Sequence, residues 1–274
     1  KEKLVEPKEV IVDNNGEVFI LLKIFDAKPT EKRRGKVNYE YGIIACAADG
    51  TEEFFKVKLP GKYLNNVQIE SNGDQHLMAA GFYGENRSTE ANGAFFMRLN
   101  TSRQGVLSQN YKEFAVDFIT QGENESRRKR ARKKEKKGKD VQFDDFFLYD
   151  LIPRNDGGVV CVAEKQQEYL SCYSDGRGNM SCDYDYNFDE IIVVNINPDG
   201  TIAWAENIPK HQNLDTRYFG SFTLHEGKTK LSFIFNDHRK NADYQGVGRH
   251  KTFVGRKNAN TTLADIGVDG TLHR

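Results

Sequence analysis

The sequence contains little of what marks a membrane protein or a disulfide-rich domain. Its 274 residues include six prolines, four cysteines, three methionines and one tryptophan. The longest apolar runs, such as VFILL from Val18 to Leu22, have the length of a β-strand. They fall far short of the ~18 apolar residues that a membrane-spanning helix requires. We therefore expect a chain that does not span a membrane.

The motifs of common enzymes are also absent. The sequence has no Gly-x-Ser-x-Gly elbow, no His-Glu-x-x-His helix and no phosphate-binding Gly loop followed by Lys-Ser/Thr. Its six histidines form no close pair with metal-ligand spacing. We predict neither a metal site nor a cofactor, and the sequence favours a non-catalytic protein without deciding the question. Glycosidase carboxylates, which come from distant strands, would leave no such motif.

Charge is distributed unevenly along the chain, although 40 basic and 40 acidic residues cancel overall. Residues 127–139, with the sequence RRKRARKKEKKGK, contain ten Lys or Arg residues and one Glu. The remainder of the chain has 30 basic and 39 acidic residues, a net charge of −9. The neutral total is thus the sum of a basic segment and an acidic body.

Internal repeats give the main signal for the fold. Asp-Gly-Thr follows a strand-like run at residues 49–51, 199–201 and 269–271. Asp-Gly between two such runs is typical of a hairpin, because glycine accepts the positive φ of a tight turn. Upstream lies a second kind of hairpin, whose four copies align on Gly16, Gly73, Gly157 and Gly227. The second copy keeps the shape of the unit but replaces Asp-Gly-Thr with residues 101–105.

A repeated unit of four antiparallel strands is typical of a propeller blade, so we predict an all-β propeller with about four visible blades. The predicted blades span about residues 8–62, 63–118, 143–214 and 217–274, and the last is truncated. Two insertions interrupt the repeat, at about 119–142 and 166–188. We treat 1–274 as a single propeller and expect it to be part of a longer chain.

One hairpin supports a family resemblance. Asp189, the strand 191–194, the turn 198–201 and Trp204 resemble the repeats of a broad, functionally uncharacterised group of bacterial β-propeller proteins. Those repeats combine a Val/Ile-rich strand, an Asn-Pro-Asp-Gly turn and a strand that carries Trp. The resemblance implies the fold and a periplasmic, outer-membrane-associated or extracellular location. It implies no activity, because propellers serve many functions.

The second insertion contains a pair of cysteines. Cys172 and Cys182 flank a turn and would lie opposite each other across a hairpin, within reach of a disulfide. Two free thiols on a loop are the alternative. Cys46 and Cys161 lie in apolar runs and are expected to be inert core residues.

After the second cysteine, carboxylates or amides alternate with aromatic residues from Asp183 to Glu190. On a strand, this period of two separates a polar face from an aromatic face. A solvated face opposite a packed aromatic face is the simpler interpretation, and a binding surface at the hairpin tip is the other. The candidate binding aromatics are Tyr173, Tyr184 and Tyr186.

The first insertion is predicted to be helical or disordered. Tyr111, Phe114, Ala115, Phe118 and Ile119 have the spacing of a helical stripe, and a basic run that could form an exposed helix follows Gly122. The candidate binding residues in this run are Arg127, Arg128, Lys129, Arg130, Arg132, Lys133 and Lys134. The run could bind an acidic protein or an anionic surface, or could be a solvated loop. The pattern disfavours nucleic acid as a partner, since stacking aromatics are missing from the run and the body is acidic.

Three functions are compatible with these patterns. The first is a non-catalytic binding or scaffold propeller of the bacterial cell envelope, with protein partners that contact the two insertions. The second is a hydrolase or lyase acting on glycans or peptides through carboxylates gathered at the propeller axis. The third is a structural subunit of a larger envelope assembly. We expect the first.

Overall fold

The computed structural model is all-β and consists of four antiparallel sheets in a ring, the blades of a four-blade β-propeller. It confirms the predicted fold class. The structure describes residues 3–26, 32–33, 36–71, 76–85, 90–100, 105–120, 125–137, 146–244 and 250–274.

Each blade is a meander in which consecutive strands pair. Blade 1 contains β1 (Leu4–Val12), β2 (Val18–Phe25), the small ribbon β3 (Lys32–Arg33) and β4 (Lys36–Val37), β5 (Tyr39–Cys46) and β6 (Glu52–Val57). Blade 2 contains β7 (Tyr63–Ser71), β8 (His76–Gly84), β9 (Gly93–Asn100) and β10 (Gly105–Glu113).

The helical elements lie between blades 2 and 3, as α1 (Val116–Ile119) and α2 (Glu125–Glu135). Blade 3 contains β11 (Phe146–Pro153), β12 (Val159–Ser174), β13 (Met180–Ile196), β14 (Ile202–Ile208) and β15 (Gln212–Leu214), which pairs with β13. Blade 4 contains β16 (Thr223–Glu226), β17 (Lys230–His238), β18 (Ala259–Gly267) and a fourth strand of two residues, β19 (Leu272–His273). Single 3₁₀ turns occur at Arg217–Phe219, Arg239–Asn241 and Arg256–Asn258.

The repeated turns share one geometry. Gly50, Gly200 and Gly270 have φ values of +84°, +82° and +84°, which favour glycine over residues with a Cβ. In each turn the preceding Asp accepts a hydrogen bond from the backbone N–H of the following Thr, at 2.8 to 3.0 Å. The Asp-Gly-Thr repeat is therefore a repeat of one turn conformation.

The core consists of apolar layers between neighbouring blades, because the strands alternate their side chains between two sheet faces. In β12 of blade 3, Val159 and Cys161 join a buried cluster shared with blade 2, and Val160 and Val162 join one shared with blade 4. A third cluster joins blades 1 and 2. Among the described residues, no buried cluster joins blade 4 to blade 1.

The Asp-Gly turn of one blade also rests on the last strand of the preceding blade. A Cβ added at Gly270 would lie 2.8 Å from the ring of Trp204, whose indole N–H donates to the carbonyl of Val268 at 3.0 Å. A Cβ at Gly200 would lie 2.4 Å from the Cβ of Asn110 in blade 2. Trp204 is therefore part of the joint between blades 3 and 4.

The predicted helical stripe from Tyr111 to Ile119 is only partly helical. Tyr111 lies in β10 opposite Phe95, and its ring packs edge-on against Tyr83, so only one turn of helix follows. Pairing with β9 prevails over helical spacing, because the strand satisfies the backbone hydrogen bonds of the sheet. Several predicted features lie outside the described residues. They are the turn at Gly73, residues 101–104, Gly122, and residues 138–142 of the basic insertion.

Candidate functional site

The most distinctive feature of the molecule is a two-stranded arm that extends from blade 3. Strands β12 and β13 have 16 and 17 residues, and their pairing with each other continues past the points where β11 and β14 end. We call residues 166–188, the range of the predicted second insertion, the arm. At its root, β15 pairs with Tyr186, Asn187 and Phe188. The arm therefore projects from the sheet and is braced on one edge.

A disulfide links the two strands of the arm near its tip. Cys172 and Cys182 lie directly opposite each other in the register of β12 and β13, with their Cα atoms 4.1 Å apart. The predicted disulfide is thus confirmed. The thiol of Cys161 lies in the core, where burial raises its pKa to about 12, and Cys46 is half-buried. The raised pKa makes Cys161 unreactive at neutral pH.

One face of the arm is largely apolar, and we call it the disulfide face. The register places Leu170 opposite Tyr184 and Glu168 opposite Tyr186, on the same side as the disulfide. The rings of Tyr184 and Tyr186 stack with their centroids 5.9 Å apart. Met180, at the end of this face, is 73% exposed. Exposed apolar and aromatic side chains on a rigid element are typical of a protein-binding surface.

The other face of the arm is polar, and we call it the carboxylate face. The hydroxyl of Tyr173 donates to the carboxylate of Asp183 at 3.0 Å, and Tyr169 lies opposite Asp185. The alternation predicted from the sequence therefore holds for the strand 183–188. It separates Tyr173 from Tyr184 and Tyr186, which share the disulfide face.

A buried ionic cluster fixes the root of the arm. The ammonium of Lys210 lies 2.7 Å from a carboxylate oxygen of Glu164, and neither side chain is exposed to solvent. Lys210 also donates to the carbonyl of Phe188 at 2.9 Å. Burial lowers the pKa of Lys210, and the charge of Glu164 opposes that shift. The cluster connects β12, β13 and the segment that enters β15.

The loop that leads to blade 4 closes this cluster. The hydroxyl of Ser221 donates to the second carboxylate oxygen of Glu164 at 2.8 Å, and its backbone N–H donates to Gln212 at 2.8 Å. Ser221 has a φ of +64°, the one positive value at a non-glycine residue in the described part of the chain. The two hydrogen bonds hold the backbone in this uncommon conformation. The position of the arm is thus determined by contacts from both blades 3 and 4.

Two partly exposed ion pairs flank the root. His211 Nδ1 hydrogen-bonds the carboxylate of Asp189, and this bond raises the pKa of His211 although its partial burial lowers it. Arg217 pairs with Glu168, and its guanidinium lies 4.9 Å from the centroid of the Tyr186 ring. The part of the disulfide face nearest the root therefore carries a guanidinium cation close to an aromatic ring.

The predicted basic helix is present as α2, at a distance in sequence from the arm. Arg132 forms an ion pair with Asp117 at 2.9 Å, and Arg128 donates to the carbonyl of Thr120 at 3.1 Å, so α2 is attached to α1. Lys129 pairs with Glu125. Arg130, Lys133 and Lys134 point into solvent, and the side chain of Arg127 lies outside the described residues.

Carboxylates from three blades meet at the first strands of the blades. β7 lies beside β1 and β11, and the backbone N–H of Ile69 donates to the carboxylate of Glu9 at 2.9 Å. Burial raises the pKa of Glu9, and the charges of Glu70 and Asp150 raise it further. Burial and the charge of Asp150 also raise the pKa of Glu70. The hydrolase hypothesis requires carboxylates from several blades that lie close together near the propeller axis, as these do.

Sequence reasoning missed the buried cluster and did not identify the axial carboxylates. A weak signal existed for each. Glu164 ends the apolar run VVCVAE, and Glu9 and Asp150 both precede their turn glycine by seven residues. A charged residue in a core strand and a carboxylate at one repeat position are both uncommon enough to mark a site.

The described residues contain no group of three or more His, Cys, Asp or Glu side chains that could hold a metal ion. In the same part of the chain, no helix combines the length and apolar character needed to cross a bilayer.

Known proteins give little further information about this chain. No protein-family model and no curated protein matches the sequence. Two structures of the acylaminoacyl peptidase of Pyrococcus horikoshii, one uncomplexed and one in an orthorhombic crystal form, align with 98% and 96% of the chain. The identities are 11% and 10%, and the TM-scores are 0.23 and 0.22. The alignments cover 45% and 51% of the peptidase chain, so this chain spans about half the length of those structures. At such values the likeness carries no argument about activity.

Proposed function

We propose that this chain is a non-catalytic binding or scaffold module of the bacterial cell envelope, and that it recognises a protein partner with the disulfide face of its arm. The observation that carries the proposal is an apolar, aromatic surface held outside the body on a braced, disulfide-linked ribbon. An exposed apolar and aromatic surface lowers the solubility of a protein unless a partner covers it. The rigid root reduces the entropy lost on binding, because the arm is already ordered.

The disulfide supports an envelope location, since such bonds form and persist in oxidising compartments. The basic helix provides a second contact region. Its exposed cations would attract an acidic protein or an anionic surface, with a contribution that weakens as salt increases. The net acidic body would repel nucleic acid.

Affinity capture from an envelope fraction of the source organism tests the proposal. The double variant Tyr184→Ser/Tyr186→Ser removes the rings of the disulfide face, and Tyr173→Ser on the carboxylate face is the matched control. We expect a protein that the wild-type chain and the control retain and the double variant loses. Calorimetry with that protein after purification should give saturable binding with a fixed stoichiometry. Equal retention by all three chains would rule out the disulfide face as the recognition surface.

The axial carboxylates favour a second candidate, a hydrolase that acts on glycans or peptides. Glu9, Glu70 and Asp150 come from three blades. The raised pKa values of Glu9 and Glu70 suit a carboxyl group that must donate a proton. Screening glycan and peptide substrates with the wild-type chain and with Glu70→Gln tests this candidate. Turnover that the substitution abolishes would support it, and no turnover of any substrate would count against it.

A further inference from the structure

The outer edge of β13 has a partner over only part of its length. β14 pairs with residues 191–196, and β15 pairs with residues 186–188. Both stretches also pair with β12, so β14 and β15 lie on the edge of β13 that faces away from β12. Further toward the tip, no described strand pairs with residues 180–185 on that edge. In the described part of the chain, the outward N–H and C=O groups of this stretch therefore have no strand partner.

The short strand β15 shows how a strand fits on this edge. Asn213 lies opposite Asn187 on the carboxylate face, and its side chain donates to that of Asn187 at 2.8 Å. Leu214 lies opposite Tyr186 on the disulfide face and is buried. β15 ends there because the chain bends into a 3₁₀ turn. The strand at the root therefore alternates polar and apolar side chains, and it leaves the edge before the tip.

The open part of the edge has the properties of a template for strand addition. Its sequence, MSCDYD, contains no proline, lysine or arginine, and its register with β12 has no bulge. Proline, lysine and bulges are common features that prevent an edge strand from pairing. The disulfide at Cys182 links this strand to β12. Six residues span about 20 Å and offer roughly six main-chain hydrogen bonds.

The side chains beside the open edge determine what an added strand should carry. Met180, Cys182 and Tyr184 lie on the disulfide face, and Asp183 and Asp185 lie on the carboxylate face. Successive side chains of an added strand would lie beside these two faces in turn. Apolar residues match the first set. Lysine or arginine matches the second set, since opposite charges across a strand pair are favourable.

The same carboxylates argue against a second copy of this chain as the added strand. Antiparallel pairing of two copies of residues 180–185 would place Asp183 and Asp185 of each copy beside those of the other. Like charges that lie opposite each other in a strand pair are destabilising. Outside residues 127–139 the chain has a net charge of −9, which adds to the repulsion.

We propose that the protein partner contributes an extended segment with alternating apolar and basic residues, which pairs with residues 180–185 as an added antiparallel strand. The inference rests on the proposed function, because it specifies how the partner contacts the arm. Apolar side chains of the segment lie next to Tyr184, and basic side chains lie next to Asp183 and Asp185. Strand addition to a sheet edge is a recurring mode of peptide recognition, in which main-chain bonds give affinity and alternate side chains give specificity.

Calorimetry of the full chain with the acetylated and amidated octapeptide (Val-Lys)₄ tests the proposal. We expect saturable binding of one peptide below about 1 mM, with slower hydrogen exchange in residues 180–185. The peptide (Val-Glu)₄ should not bind. Asp183→Asn/Asp185→Asn should weaken binding of (Val-Lys)₄ roughly tenfold. The control Glu52→Gln/Glu53→Gln removes the same charge from β6 and should leave binding unchanged.

Two N-methylated peptides distinguish strand addition from attraction between charges. In an antiparallel pair, the N–H groups of every second residue point to the partner strand. N-methylation of all valines or of all lysines in (Val-Lys)₄ therefore removes either the donors that face β13 or those that face away. Strand addition predicts that one of these peptides loses binding and that the other retains it. Equal binding by both peptides, or loss by both, would overturn pairing through the main chain.

Two further results would count against the proposal. Failure of (Val-Lys)₄ to bind at about 1 mM would show that the edge does not accept such a strand. If Tyr184→Ser/Tyr186→Ser still abolishes capture of a protein, recognition through the disulfide face stands and strand addition alone fails. Self-association of the wild-type chain that (Val-Lys)₄ reverses would assign the edge to a second copy instead.

Discussion

The ammonium of Lys210 lies 2.7 Å from the carboxylate of Glu164 at the root of the arm, and both side chains are completely buried. An ion pair in such a place specifies one arrangement of the surrounding strands, because either charge left alone would be strongly unfavourable. The direction of the arm therefore depends on a pair of residues outside the arm itself.

The first prediction concerns this pair. Lys210→Met leaves Glu164 buried without its cation and should lower the free energy of unfolding by about 3 to 5 kcal/mol. Adding Glu164→Leu should restore much of the loss, because no uncompensated charge remains. Urea unfolding of the two single variants and the double variant gives the coupling energy. Additive effects of the two substitutions would show that the residues do not interact as described.

The second prediction concerns the disulfide. Replacing Cys172 and Cys182 with serine removes a cross-link that constrains the unfolded arm by about 2 to 3 kcal/mol. We expect amides in the arm to exchange with solvent on the order of 100-fold faster, while amides of β17 exchange as before. In the wild-type chain, unfolded without reductant, thiol titration should detect the two cysteines Cys46 and Cys161. Four reactive thiols would contradict the assignment.

The third prediction concerns the joint between blades. Gly200→Ala and Gly50→Ala both place a Cβ at a φ above +80°, which costs about 1 kcal/mol. At Gly200 the new methyl also meets the Cβ of Asn110, so we expect an additional loss of roughly 1 to 3 kcal/mol. Thermal or urea unfolding measures the loss of stability in both variants. Equal losses would mean that the turn of blade 3 does not rest on blade 2.

The fourth prediction is a pH dependence. The pKa of His211 is raised above 6.5 by its hydrogen bond to Asp189, so the folded chain binds this proton more tightly than the unfolded chain. The stabilisation is complete below pH 6.5 and is lost as the pH rises through the folded pKa. The difference in unfolding midpoint between wild type and His211→Gln should shrink over that interval. The exposed His225 provides the control, and an equal pH dependence for His225→Gln would contradict the assignment.

Much of the architecture could be predicted because it repeats. The Asp-Gly-Thr turn recurs for a local reason, the positive φ at Gly50, Gly200 and Gly270, and local rules can be read from a sequence. The opposition of Cys172 and Cys182 follows from hairpin geometry in the same way. The insertion into the repeat at about residues 166–188 indicated that two strands extend beyond the regular blade.

The remaining features depend on contacts between residues that are far apart in the chain. Glu164 of blade 3 is bonded to Ser221 in the loop that leads to blade 4, and Glu9 of blade 1 interacts with Glu70 of blade 2. Tyr111 has helical spacing but pairs in β10, because the partner strand β9 decides its conformation. Tertiary pairing of this kind leaves no periodic signal in one sequence.

Site-specific photo-cross-linking in the envelope of the source organism tests the central claim most directly. A photoreactive phenylalanine analogue at position 184 lies on the disulfide face, and the same analogue at position 173 lies on the carboxylate face, eleven positions away along the hairpin. We predict a discrete cross-linked species from position 184 and none from position 173. The same species from both positions, or none from position 184, would contradict recognition through the disulfide face of the arm.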